Sequence, residues 1–415
     1  MDKRVEIKDL DKLLRKFLGD DVKVLNISLN SLTQKSENYG SVIYELVILM
    51  QNKKNNAETL NLVAKVSPPS EYLKRVFPVE ICFKNEINMY KHVLPTLNKF
   101  CANQKDDDAM DFFPKCYAAR SSLTDDEMYD ENVVLILENL NSVGYELVNR
   151  TESFDLATTF VVIKNLAKFH AASLSLKLLK PKEFEENILN IIAKKVKFNT
   201  VSKESQNKMI QLAVQASYRD KILIQKATEN LENYFRMYAR NPTHREPFAT
   251  LIHNDFWIPN LMIKFENGRP MKNMILDFQR IEYGCPARDL IFFLFTSVKL
   301  DLLDQNYGDF IKYYFREFSE DLQQLKCDIA PFTFNEFIEE IRNSACTKEL
   351  FHLIFMTQYV HAESNKKQIL GSNHRSFGDR KKIGLIGIVS YMVMTSYVLR
   401  IRILENGITT FDWDF

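Results

Sequence analysis

His253, Asp255 and Asn260 stand in an H-x-D-x(4)-N arrangement, and Asp277 follows a short apolar run as D-F-Q. These side chains, in this order, supply what transfer of a phosphoryl group from a magnesium nucleotide requires. The Asp255 carboxylate can accept or orient the hydroxyl proton of an attacking substrate. Asn260 brings an uncharged amide oxygen to a magnesium ion and Asp277 an anionic one, because hard Mg2+ takes oxygen ligands. A lone H-x-D would be read as an ordinary polar turn, whereas the combined pattern is far more specific.

The elements that must hold these groups lie on both sides of them. From Leu261 to Leu276 the chain reads as two short strands, LMIKF and MKNMIL, joined by the turn Glu266-Asn267-Gly268-Arg269-Pro270. Such a hairpin returns Asp277 to the side of Asp255 and Asn260. Upstream, VIYELVILM and NLVAKV (Asn61 to Val66) read as strands around a polar hairpin, and Val79 to Tyr90 has helical periodicity. Lys65 ends the second strand and Glu86 lies on the helix. In the kinase arrangement a strand lysine contacts the α- and β-phosphates and a helix glutamate steadies it.

No G-x-G-x-x-G is present, and the segment in the place of a phosphate loop is Lys35 to Ser41, with Asn38 and Ser41 able to add side-chain bonds to a backbone turn. FPKCYAARSS and NVVLILENL read as further strands. The second ends at Glu138-Asn139-Leu140, whose backbone would hydrogen-bond adenine over an apolar floor of Met262 and Leu276. The acidic stretches Lys105 to Asp108 and Asp125 to Glu131 read as solvated turns. Beyond Leu140 helical patterns dominate. Val161 to Leu176 places His170 on an apolar face as a hydrogen-bonded core residue, and His253 is expected to brace its loop in the same way.

This order of elements predicts an α+β, two-lobed protein-kinase-like fold. A small antiparallel sheet lobe with a helix (residues 1–138, nucleotide-binding) precedes a large, mainly helical lobe (residues 139–415, catalytic and substrate-binding).

HNDFWIPNLM, MILDFQ and YGCPARDLIFFLF resemble the signature blocks of the ecdysteroid kinase-like family, small-molecule kinases related to choline kinases and aminoglycoside phosphotransferases. NYGSVIY, FKNEINMYKHVLP, FPKCY, LILENL and LAKFHAAS extend the likeness over most of the chain. The resemblance implies ATP and Mg2+ as cofactors. It also implies that Asp289 supports the catalytic loop by accepting its backbone N–H groups. Asn254, where the family often has Gly, and Arg288, where it is more often apolar, depart from the pattern without removing a metal ligand or the base.

Only the stretch Phe278 to Arg288 separates Asp277 from Asp289, which leaves no platform for a peptide, so a small-molecule hydroxyl is the expected acceptor. Trp257 beside the base, with Phe292, Phe293, Phe295, Phe355, Met356 and Tyr359, would suit a steroid or other lipophilic alcohol. Choline is less favoured, since no aromatic and acidic cage can be located. The alternatives are a catalytically silent relative that binds a hydrophobic ligand, a protein-kinase-like signalling component, and a membrane protein anchored by Ile383 to Leu399. The intact Lys65, Asp255, Asn260 and Asp277 oppose the first, and the missing activation segment the second. The apolar stretch reads better as a buried helix.

A formal charge of +1 and interspersed Lys and Arg give no reason to expect nucleic acid as a partner. Six cysteines without a C-x-x-C pair favour reduced thiols, and the charged N-terminus, read as an amphipathic helix, lacks a secretory h-region. A cytoplasmic protein without a membrane span is the expectation.

Overall fold

A computed structural model of the chain describes residues 7–19, 22–32, 40–51, 56–69, 74, 78–104, 110–124, 128–148, 153–192 and 246–344. Asn38, Phe355, Met356, Tyr359 and the stretch Ile383 to Leu399 lie outside the described residues.

The first half is built on one antiparallel sheet. After the amphipathic helix α1 (Leu10–Leu18) come β1 (Lys23–Ser31), β2 (Val42–Gln51), β3 (Ala57–Val66), β4 (Cys116–Arg120) and β5 (Val134–Glu138), in the spatial order β1-β2-β3-β5-β4. Strand alternation divides its residues between two faces. Leu46, Ile48, Leu62, Ala64, Val66, Val134 and Ile136 share one face with Leu10 and Leu14, which lie one turn apart on α1. Lys65, opposite Ile43 and Leu135 in the register, falls on the other. There α2 (Val79–Asn88) begins. It runs through a single π-turn at Met89–Val93 into α3 (Leu94–Gln104), so the helix expected to stop at Tyr90 continues with one bulge.

The second half wraps helices around α4 (Leu156–Leu179), which is apolar on nearly every side and therefore buried. The Asp155 carboxylate caps it by accepting from Thr158 N at 2.8 Å. Helices α5 (Ala287–Ser297), α6 (Leu300–Gln324) and α7 (Phe334–Ser344) complete the bundle. Two small sheets carry the chemistry-bearing segments: β6 (Tyr145–Leu147) with β8 (Leu261–Glu266) and β9 (Arg269–Ile275), and β7 (Thr250–Ile252) with β10 (Glu282–Gly284). The fold is α+β, an antiparallel sheet half followed by a mainly helical half. Among the described residues no helix is long and apolar enough to cross a membrane.

The β8–β9 hairpin is tighter than its sequence suggests. Asn267 (φ 51°) and Gly268 (φ 74°) form the turn, while Arg269 and Pro270 enter β9 opposite Glu266 and Phe265. Two consecutive left-handed residues match the twist of the strands, and Asn-Gly is the pair that tolerates them best. Gly268→Ala meets no steric obstacle, yet it places a Cβ on a left-handed residue. We expect a loss of about 1 kcal/mol, read as a lower urea midpoint at unchanged slope.

Candidate active site

Lys65 lies at the centre of the site. Its Nζ donates to Glu86 Oε2 at 2.6 Å and to Asp277 Oδ1 at 2.8 Å, joining β3, α2 and a residue 212 positions away. Lys65 is 8% exposed and Glu86 2%. Burial alone would pull the ammonium down, but the adjacent Asp277 and Glu86 carboxylates outweigh it and hold Lys65 above its ordinary value. For Glu86, burial and then the nearby Asp277 charge push the carboxyl up against the pull of Lys65. The neighbouring Cys82 thiol is pushed up to about 12, by burial first and the Asp277 charge second, so it stays protonated.

Asp277 adopts a left-handed backbone (φ 64°), a conformation that Asp tolerates better than most residues. Its second oxygen accepts from Gln279 Nε2 at 3.1 Å, and the Gln279 carbonyl accepts from Asn85 of α2 at 3.2 Å. Between them Phe278 is fully buried against Tyr90, Phe113, Phe169 and His253. The D-F-Q tripeptide is thus held by one residue after another.

The β7–β10 pair brings the catalytic-loop segment and the Asp277 segment to the same end, with Ile252 opposite Glu282 and Thr250 opposite Gly284. Asp255 (9% exposed) and Asn260 (7%) follow β7 directly. Asn260 Nδ2 donates to the Asp255 carbonyl at 2.8 Å and to its Oδ2 at 3.1 Å, which leaves the amide oxygen as its available donor atom to a cation. Leu276 N donates to Asn260 O at 2.9 Å, so Asp277 and Asn260 are fixed through adjoining backbone. The amide oxygen and the Asp277 carboxylate, with a quarter of its side chain exposed, form the kind of hard-oxygen donor pair that suits Mg2+.

The loop is anchored from behind. Asp289, in the first turn of α5, accepts from His253 N at 2.6 Å and from Asn254 N at 2.8 Å. It also accepts from His170 Nε2 at 3.2 Å. With that proton on Nε2, His170 Nδ1 accepts from the Tyr314 hydroxyl at 2.7 Å. His253 Nε2 donates to Leu276 O at 2.8 Å. Burial would raise the Asp289 carboxyl, but the His170 hydrogen bond and charge, His253 and the Asn254 N–H together hold it below its ordinary value.

Of the residues expected around adenine, Leu140, Met262 and Leu276 share one small apolar cluster, to which Tyr145 and Met274 also belong. Glu138 ends β5 opposite Leu62, and its N–H donates to Lys115 O at 2.9 Å. Ser41 is buried just before β2. Trp257 packs with Phe292 and Phe295 in a separate small cluster, and its buried indole N–H has no hydrogen-bond partner among the described residues. Phe293 instead belongs to the main core.

Three contributors have no role that the sequence alone assigns. The Arg280 guanidinium lies 3.7 Å from Asp255 Oδ1, Gln279 holds Asp277, and Ser297 Oγ accepts from Ile258 N at 3.1 Å. Tyr145 could have been found only from its pairing opposite Lys264 in the small sheet.

The sequence model of the ecdysteroid kinase-like family matches residues 35–327. No curated protein matches the chain significantly. Among solved structures, the chain is similar to the GDP and kanamycin complex of APH(2")-IIia, with 12% identity over 94% of this chain and 98% of that one at a TM-score of 0.42. It is also similar to a Plasmodium vivax ethanolamine kinase, with 13% identity, 92% and 83% coverage and a TM-score of 0.39. A third is the Brachybacterium faecium macrolide 2'-phosphotransferase MphH, with 11% identity, 92% and 97% coverage and a TM-score of 0.36.

The Asp289 anchor has a pH signature. Its folded value lies below the ordinary one, so its contribution is fully present above the ordinary carboxylate range and is lost as pH falls through the folded value. Asp289→Asn should cost about 3 kcal/mol at neutral pH. In thermal melts the gap to the wild type should narrow as pH drops into the acid range, whereas a gap that widened would refute the anchor.

Proposed function

The chain belongs to the ecdysteroid kinase-like family, and from that premise we propose that it transfers the γ-phosphoryl group of ATP to a hydroxyl of a small apolar molecule, such as a steroid or lipophilic alcohol. The observation that carries this reading is the buried Glu86–Lys65–Asp277 connection, which ties a strand lysine to a potential metal ligand across the whole chain. A purely structural ion pair has no need of the second carboxylate.

In this reading the nucleotide lies between residues 1–138 and residues 139–415. The backbone of Glu138 and Leu140 meets the adenine edge, and Leu140, Met262 and Leu276 form its apolar floor. Lys65 holds the α- and β-phosphates, with Glu86 limiting its swing. Ser41, buried just before β2, adds a phosphate contact. Asn260 and Asp277 would hold Mg2+, which when bound neutralises charge on the transferring phosphoryl group.

Asp255 accepts the proton of the attacking hydroxyl at its carboxylate, held in place by Asn260. His253 and Asp289 keep the loop rigid, so the reacting oxygen meets the base in one geometry. Trp257 offers the acceptor an apolar wall and a polar N–H at its edge; Met356 and Tyr359 would extend that wall.

The test is ADP release by the purified protein with Mg-ATP and a panel of steroid and lipophilic alcohols. Substrate-dependent turnover is expected. Asp255→Asn should lower kcat by at least about 100-fold with little change in Mg-ATP affinity, and Lys65→Met should weaken both. Wild-type turnover by Asp277→Ala would end the metal assignment. A protein that neither turns over nor shows a thermal shift with Mg-ATP would instead be a silent binder.

A further inference from the structure

Asn254 and Arg288, 34 residues apart, are in contact. Asn254, immediately before Asp255, has a left-handed backbone (φ 63°), a conformation normally cheapest for glycine. Every polar atom of its side chain is engaged. Oδ1 accepts from Arg288 Nη2, and Nδ2 donates to Glu282 Oε2 at 3.1 Å and to the Arg280 carbonyl at 3.1 Å. Arg288, only 7% exposed, also reaches Glu282 Oε1 at 3.5 Å through Nη1. The cluster is closely fitted, since a Cβ at Gly284 would sit 2.9 Å from Arg288 Nη1 and 2.7 Å from Ile252 Cδ1.

Asn is the non-glycine residue that enters the left-handed region at least cost, and its side chain here binds the residues that flank the turn. The Arg280 carbonyl it holds belongs to the residue whose guanidinium lies 3.7 Å from Asp255. The cluster therefore acts on Asp255 from both sides, through the preceding peptide and through the neighbouring cation. We propose that Asn254, Glu282 and Arg288 are a single positioning unit, in which a side-chain network sets the turn before Asp255 and aims Arg280 at it. This rests on the reading of Asp255 as the base.

The unit predicts non-additive substitutions. Asn254→Gly removes the acceptor that Arg288 Nη2 uses, and Arg288→Met removes the donor to Asn254 Oδ1. Each should raise hydrogen exchange of peptides covering residues 253–260 by about tenfold, the effect of one buried hydrogen bond to a charged group. The double variant should raise it little beyond either single one. Asn254→Asp, which keeps the shape, should do the same, because a carboxylate cannot donate to the Arg280 carbonyl and repels Glu282.

With ATP turnover as the activity probe, kcat should fall about tenfold in each variant while the Mg-ATP KM stays within roughly twofold, a split that simple loss of stability would not give. Independent, multiplying effects in the double variant, or wild-type exchange in Asn254→Asp, overturn the proposal. If the exchange data couple but the wild type turns over no ATP, the unit stands and the kinase reading falls. If ATP is turned over but the effects are independent, the kinase reading stands and the unit falls.

Discussion

A buried ammonium between two carboxylates governs this structure. Lys65, Glu86 and Asp277 come from a strand, a helix and a loop, and loss of Lys65 would leave the buried Glu86 carboxylate without its counter-ion. One cation against two anions leaves the cluster one negative charge in excess when all are ionised. Burial first and that excess second push Glu86 up, and the two carboxylates hold Lys65 above its ordinary value. Such an arrangement is a poor way to gain stability, because apolar residues of similar volume would fill the space at lower cost. It is a good way to hold a site short of positive charge.

The rest of the fold keeps those three groups at fixed distances. Alternation along β3 sends Leu62, Ala64 and Val66 into the core beneath α1 and leaves Lys65 for the opposite face. The Asp277 end is set by Phe278, whose burial among four rings leaves its neighbours little freedom. Behind the loop, Tyr314, His170 and Asp289 form a hydrogen-bonded series from α6 through α4 to α5, ending on two backbone N–H groups beside Asp255. Thr250 Oγ1 donates to the His170 carbonyl at 3.1 Å, and Leu251 N donates to Ser173 Oγ at 3.2 Å, so β7 is fastened to the same helix. Fully satisfied buried polar groups of this kind specify one arrangement where an apolar core would permit several.

Much of this was legible in the sequence because the signals are local. The five-residue interval from Asp255 to Asn260 and the alternation in NLVAKV each report on a few neighbouring residues, and each matches the geometry found. Lys65 and Glu86 could be paired only because the downstream pattern said what to look for. Arg280 was invisible: a charge three residues after Asp277 has no periodicity, and its approach to Asp255 depends on how β10 pairs with β7. The same holds for Phe293, expected near the substrate but placed in the main core, since the apolar run Leu290 to Phe295 on a helix does not say which of its residues faces the site. The acceptor wall beyond Trp257 was assigned to positions past the described residues.

The apolar cluster under the proposed adenine position sets a mechanical condition on all of this. Leu140, Tyr145, Met262, Met274 and Leu276 pack together apart from both large cores. Leu140 directly follows the last strand of the sheet lobe, whereas Met262, Met274 and Leu276 belong to the hairpin that carries Asp277. A small cluster can rearrange without opening either core, because only a few side chains must repack. The Lys65–Asp277 bond crosses the same boundary and is charged, so it can exchange partners with phosphate at little net cost in electrostatic energy. A nucleotide that replaced this bond with its phosphates would leave the two halves joined through the Asn85–Gln279 hydrogen bond and through Phe278 packed against Tyr90 and Phe113.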